Sequence, residues 1–209
     1  GLCGVNDCSF HAHGNGTIGH MVSTYAIRLY AWSAYAFCDD SLQSTMNGYF
    51  DVDSRFEWLD KIIRPKLLEL KTLQEKISFT EQALLKRLSD VRENTVVNDT
   101  IQNILINKGS LDIAKLAKKS FVSTRQLERL FHEYVGITPK KLSNLIRYQF
   151  LWRDILCEPD FDVLSAVYKF GYTDQSHLLR EFKRYHSMDI HNARIMAFKD
   201  VGNIQDVFV

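Results

Sequence analysis

No apolar run in this chain is long enough to cross a bilayer, which takes about 20 residues. The longest mostly apolar stretch, Tyr25 to Phe37, is broken by Arg28. No basic-then-apolar leader opens the chain, so a cytoplasmic protein with no membrane partner is expected. The first residue is Gly1 rather than Met, as in a trimmed chain or a fragment. The cysteines Cys3, Cys8, Cys38 and Cys157 have no framework spacing, and outside a secretory context they read as free thiols. No nucleophile elbow, phosphate-cradling glycine loop or metalloprotease motif is present, so neither an enzyme nor a cofactor is expected. Proline occurs only three times in 209 residues, which leaves long stretches open to helix.

What is present is ordinary globular composition, 45% hydrophobic and 24% charged. The net charge of +1 is unevenly divided. From Val96 onward there are 16 Lys+Arg against 13 Asp+Glu (+3), and the first 95 residues hold 10 against 12 (−2). A polyanionic partner would therefore favour the C-terminal half.

Residues 1 to about 50 read as turns and strands, because Thr17 to Ala36 is rich in β-branched and aromatic residues such as Ile18, Val22, Tyr25, Ile27 and Trp32. Helical spacing takes over across 54–92. Phe56, Leu59, Ile62 and Ile63 run up to Pro65, and Leu67, Leu68, Leu70 and Leu73 continue beyond it. Ser78 with Glu81 reads as a capping box opening the next helix. The polar stretch Ser89 to Thr100 marks a boundary, dividing the chain into 1–95 and 96–209. Beyond it Asn98 or Asp99 caps a helix that Gly109 ends. Thr138-Pro139 opens a long helix that stops before Glu158-Pro159.

The segments flanking that long helix repeat each other. At an offset of 50, Asp112, Ile113, Leu116, Ala117 and Lys119 meet Asp162, Val163, Ala166, Val167 and Lys169. At an offset of 51, Leu127, Arg129, Phe131 and Tyr134 meet Leu178, Arg180, Phe182 and Tyr185. Each copy, about 111–136 and 161–187, is a short helix, a tight turn and a second helix, the order of a helix-turn-helix. Leu127, Leu130, Phe131 and Tyr134 form an inward stripe opposite Arg125, Arg129 and His132. Leu178, Phe182 and Tyr185 do the same opposite Ser176, Arg180 and Lys183. One such helix could be any surface helix, but the same phase twice argues for a shared task. Arginine can hold guanine with two bonds, and Gln126 or Gln175 could read adenine. The linker helix Lys140 to Cys157, 18 residues or about 27 Å, could set two such helices about one duplex turn apart.

The stretch Gly171-Tyr172-Thr173-Asp174-Gln175-Ser176-His177-Leu178, continued by Arg180, Phe182 and Lys183, resembles the signature of AraC/XylS-type transcription regulators. So does Ser123-Thr124-Arg125-Gln126-Leu127-Glu128-Arg129-Leu130-Phe131, followed by Gly136-Ile137-Thr138-Pro139. The resemblance covers Leu111 to Arg194 and implies a mainly α chain. A small α+β region, a partial β-barrel plus helices, precedes two helix-turn-helix subdomains joined by a long helix. It implies double-stranded DNA as the partner. The contacts would come from Ser123, Thr124, Arg125, Gln126, Glu128, Arg129, Asp174, Gln175, Ser176, His177, Arg180 and Lys183, with Lys140 and Lys141 on phosphates. It also implies an N-terminal region that binds a small-molecule effector or forms a homodimer, and RNA polymerase as a partner if the protein is an activator. Two departures stand out. Phe121 occupies a place where the family has glycine, so the first turn is expected to find another geometry. Ser187-Met188-Asp189-Ile190 replaces the second Gly-x-Thr-Pro, so the terminal helix carrying Arg194 should be kept but start less sharply.

Zinc is the competing reading, because Cys3, Cys8, His11, His13 and His20 are its usual ligand types. Their spacing matches no structural zinc site. An Ada-like repair protein would need paired cysteines, and Cys38 and Cys157 stand alone.

Overall fold

The computed structural model describes residues 2–3, 25–30, 32–38, 42, 49–89, 91 and 94–199. Their order is β1 (Leu2–Cys3), β2 (Tyr49–Phe50), α1 (Val52–Arg55), α2 (Arg64–Glu69), α3 (Leu73–Ser89), α4 (Thr95–Ile106), α5 (Ile113–Lys119), α6 (Thr124–Tyr134), α7 (Pro139–Cys157), α8 (Val163–Phe170), α9 (Gln175–His186) and α10 (Ile190–Lys199). The fold is mainly helical, as expected. Close contacts group the chain into two units, one of residues 1–97 with 125–138 and the other of 98–124 with 139–209.

In the first unit, β1 and β2 pair antiparallel, Leu2 with Phe50 and Cys3 with Tyr49. Among the described residues this pair is all the strand there is, so the partial barrel is not borne out. Much of the segment expected to be strand, 17–24, lies outside the described residues. Between Tyr25 and Cys38 the chain turns instead. The Tyr30 carbonyl accepts from the amides of Ser33 and Ala34, and a 3-10 turn spans Ala34–Ala36. The physical reason is that strand preference measures fit to a half-buried pleated surface. Here Ala36 and Phe37 are buried with Phe56, Leu59 and Ile63 in a cluster that helices complete. Tyr25 donates to Thr80 Oγ1 on α3 at 3.0 Å, and Arg87 of α3 donates to the Ala36 carbonyl at 3.2 Å.

Pro65 does not end the helical path there. A π-helical turn, Leu59–Ile63, precedes α2, and Pro65 sits in the first turn of α2, where its missing N–H costs nothing. The capping box lies six residues earlier than expected. Thr72 and Glu75 bond reciprocally, with the Thr72 amide 2.9 Å from Glu75 Oε2 and the Glu75 amide 3.2 Å from Thr72 Oγ1. Ser78 and Glu81 are interior to α3. Both pairs satisfy the pattern, and the earlier one adds more than a helical turn of hydrogen bonds.

Helix α4 begins earlier than read. Asn94 accepts from the Val97 amide at 3.1 Å, so neither Asn98 nor Asp99 is its cap. Gly109 ends the segment as expected, at φ +74°, where a side chain would meet the Ser143 carbonyl of α7 at 2.1 Å. Ser143 in turn donates to the Gly109 carbonyl at 2.7 Å. Helix α7 starts on Pro139 and stops at Cys157, as expected. Tyr148, Leu151 and Ile155 of α7 bury against Ala166, Val167 and Phe170 of α8, Leu178 and Phe182 of α9, and Ala193 of α10. This single core sets α8, α9 and α10 around the linker helix.

Candidate nucleic-acid interface

On α6, Leu127 and Phe131 are fully buried, and Leu130 and Tyr134 are half-buried. Arg125, Gln126, Glu128 and Arg129 are all exposed, as are Ser123 and Thr124 just before them. His132 departs from expectation. It is half-buried, with Nδ1 enclosed and without a hydrogen-bond partner, whereas Arg125 and Arg129 on the same side of the helix are exposed. Three residues after Arg129, it stands about 60° around the axis from Arg129 and about 20° from Arg125, away from Leu127 and Phe131, so the inward stripe does not account for its burial.

On α9 the inward stripe is Leu178 and Phe182, fully buried. Gln175, Ser176, Arg180 and Lys183 are exposed. Arg180 Nε donates to the Ser176 carbonyl at 3.2 Å, so its side chain runs back toward the N-terminal turn of the helix. That is the turn a recognition helix presents to base edges. Asp174 is exposed, but its carboxylate accepts from the His177 amide at 2.7 Å as the N-cap. His177 is half-buried, its ring edge-on to Tyr172 at 5.3 Å. Lys140 and Lys141 are exposed in the first turn of α7. Lys140 borders an open hollow of about 530 Å³ lined also by residues 109–114, Arg147 and Gly171.

The two first helices are capped alike, which is why the repeat folds the same way locally. Asp112 Oδ1 accepts from the Ala114 and Lys115 amides at 2.9 and 3.3 Å. Asp162 Oδ2 accepts from the Ser165 amide at 2.7 Å, and this bond holds its carboxyl below the ordinary aspartate range. The turns then match. The Val122 amide donates to the Ala117 carbonyl (3.1 Å), and the Tyr172 amide to the Val167 carbonyl (2.9 Å). Phe121 adopts the same left-handed backbone as Gly171, φ +55° against +65°, so the first turn does not find another geometry. With Cβ held in that conformation, the Phe121 side chain is 97% exposed.

The terminal helix also starts more sharply than expected. Ser187 takes the left-handed place that Gly136 holds after α6. Asp189 caps α10 by accepting from the Asn192 amide at 2.9 Å, which holds its carboxyl below the usual range. Arg194 donates to the carbonyls of Glu158 and Pro159, tying α10 to the end of α7.

Sequence reasoning missed the polar group inside this unit. Glu181, one residue after Arg180, is buried, and so is Arg147 in the middle of α7. The Arg147 guanidinium grips both carboxylate oxygens, Nη2 at 2.9 and 2.8 Å and Nε at 3.2 Å. The Tyr172 hydroxyl donates to the same carboxylate at 2.8 Å, and its ring lies 4.2 Å from the guanidinium carbon. Burial, followed by the Glu181 charge, pushes the Tyr172 hydroxyl well above the ordinary phenol range, so it is a committed donor. The missed signal was the wheel position. Glu181 aligns with Leu130 of the first copy, on the inward stripe where an unpaired carboxylate could not stay.

Of the zinc candidates, Cys8, His11, His13 and His20 lie outside the described residues. Among the described residues no cluster of three or more His, Cys, Asp or Glu could hold a metal. Cys157 is an exposed free thiol. Among the described residues no helix is long and apolar enough to cross a membrane.

Two successive helix–turn–helix segments, each with a buried stripe and an outward cationic face, define the class. Residues 116–194 match the helix-turn-helix domain family. The chain is also 26% identical, over 111 residues, to an uncharacterized HTH-type transcriptional regulator of Haemophilus influenzae. That alignment covers 53% of this chain and 36% of the relative, so the chain spans about a third of that protein. No solved structure matches. With the motifs quoted above, these matches mark the C-terminal region as an AraC/XylS-like helix-turn-helix domain.

Proposed function

We propose that the protein is a sequence-specific DNA-binding transcription regulator that reads major-groove base edges with α6 and α9. The carrying observation is the repeat: each second helix buries its Leu/Phe stripe and leaves Arg129 or Arg180 outward among hydrogen-bonding neighbours. Arg125, Gln126, Glu128 and Arg129 form one reading set, with Ser123 and Thr124 at its start. Gln175, Ser176, His177, Arg180 and Lys183 form the other. Asp174 belongs to it through its cap, which holds the first turn of α9 in shape. Lys140 and Lys141 supply phosphate contacts, which fix register without carrying sequence. With α7 as spacer, the two helices reach successive grooves. Residues 96–209 are the DNA-binding part, and residues 1–95 modulate it through a small-molecule effector or homodimer contacts. An activating role would add RNA polymerase as a partner. The test is selection from randomised duplexes at about 150 mM salt. Two enriched blocks about 10 base pairs apart support the reading. Salt-sensitive retention with no enriched motif would reduce the protein to a basic surface and sink it.

A further inference from the structure

We propose that Arg147, Glu181 and Tyr172 form an orientation lock that sets the sequence specificity of the second recognition helix without touching DNA. The inference rests on the DNA-reading function above and assigns a role to residues outside its contact set.

The lock is directional. Glu181 accepts three bonds from the Arg147 fork and one from Tyr172, so its carboxylate can sit in one place only. Arg147 projects from the middle of α7 and Tyr172 from the turn entering α9, so the three groups join both neighbours of the recognition helix to its inward face. The surrounding core of Leu178, Phe182, Leu151 and Tyr148 is apolar, and apolar contact has no direction. Such cores lose uniqueness of packing before they lose stability. A buried ion pair, by contrast, is commonly replaceable by apolar residues of like volume with little loss of stability. Its contribution here is therefore the angle of α9. Arg180 immediately precedes Glu181, so a small rotation of the helix carries the guanidinium off its base. Recognition geometry tolerates only about 0.5 Å and 10–20°. The first copy has Leu130 at the matching place, so this device belongs to one helix of the two.

The experiment compares duplex selections by the unaltered protein and the double variant Arg147→Met/Glu181→Leu, which keeps bulk and removes both charges. Thermal unfolding is measured alongside. The unaltered protein is run first; if it enriches no motif, the DNA-reading function fails and this inference falls with it. The expected result is a folded double variant that still enriches the block read by α6, while its preference within the α9 block drops about tenfold or more. Arg147→Lys keeps the charge without the fork, and Tyr172→Phe removes one bond without stranding a charge. Both should blur the same block, Tyr172→Phe the less, and they carry the test if the double variant does not fold. Undiminished preference in both blocks by the folded variants would overturn the proposal. So would equal loss in both blocks, which is what a merely structural role produces.

Discussion

After α5 the chain turns on Phe121 at φ +55°, and after α8 it turns on Gly171 at φ +65°. At the exits of the second helices the assignment is reversed, with Gly136 at φ +79° in the first copy and Ser187 at φ +59° in the second. Each copy thus holds two left-handed residues and gives glycine to only one of them. The backbone bonds decide the geometry: the i to i−5 bonds of Val122 and Tyr172 close both turns whatever side chain is present. The side chain decides only the strain, about 1–2 kcal/mol for a residue with Cβ. The copies also differ beneath the surface, since the first has half-buried Leu130 at the position that buried Glu181, with its Arg147 partner, holds in the second.

The largest effect should come from that buried difference. Arg147→Ala strands the Glu181 carboxylate and should cost about 3–5 kcal/mol in denaturant unfolding. Leu130→Ala, at the matching place, removes only part of a half-buried side chain and should cost about half as much or less. Equal losses would mean that Glu181 finds water or another donor when Arg147 leaves. Next in size are the outward arginines. Arg129→Ala and Arg180→Ala should each weaken binding to the selected duplex by about 1–3 kcal/mol and relax preference in one block only. Weakening that is equal on every sequence would demote either residue to a phosphate contact.

The turns can be exchanged. Gly171→Phe adds left-handed strain and places Cβ 2.3 Å from Ser110 Oγ, a side-chain end that can swing away. It should destabilise by about 1–2 kcal/mol. Phe121→Gly relieves similar strain but frees the unfolded chain, which returns about 0.4–1 kcal/mol. The net expectation is a stabilisation of about 0.5–1 kcal/mol, read as a raised Tm. A loss of stability in Phe121→Gly would show that the exposed ring makes contacts that hold the turn.

The features that were legible in the sequence share a local cause. Gly109 ending the segment before α5, Pro139 opening α7, and the Leu/Phe stripes of α6 and α9 each follow from residues within one or two helical turns. What was misread depends on a choice between local candidates or on a distant partner. Thr72-Glu75 and Ser78-Glu81 fit one capping pattern, and Asn94, Asn98 and Asp99 fit another. In both cases the longer helix won. The aromatic residues after Tyr25 looked strand-like because their type matched, although Phe37 is buried against Phe56 and Leu59. Phe121 was misjudged by treating glycine as the cause of the turn. Glu181 looked like one more charged residue because Arg147 lies 34 positions away.

The smallest effect is a pH dependence at the capped starts of α8 and α10. Asp162 at the start of α8 and Asp189 at the start of α10 both sit below the ordinary aspartate range because backbone N–H groups bond the ionised form. Their folded values lie under their unfolded ones, so the caps contribute fully above about pH 4. The contribution is lost as pH falls through the folded values, since protonation then favours the unfolded chain. Asp162→Asn keeps an acceptor for the Ser165 amide and removes the titration. Its unfolding midpoint should therefore fall less steeply than that of the unaltered protein between about pH 4 and pH 2. Both proteins should keep parallel profiles above about pH 5. Identical slopes in acid would mean that the Asp162 carboxylate is no better bonded in the fold than in the unfolded chain, and that the Ser165 bond is not what starts α8.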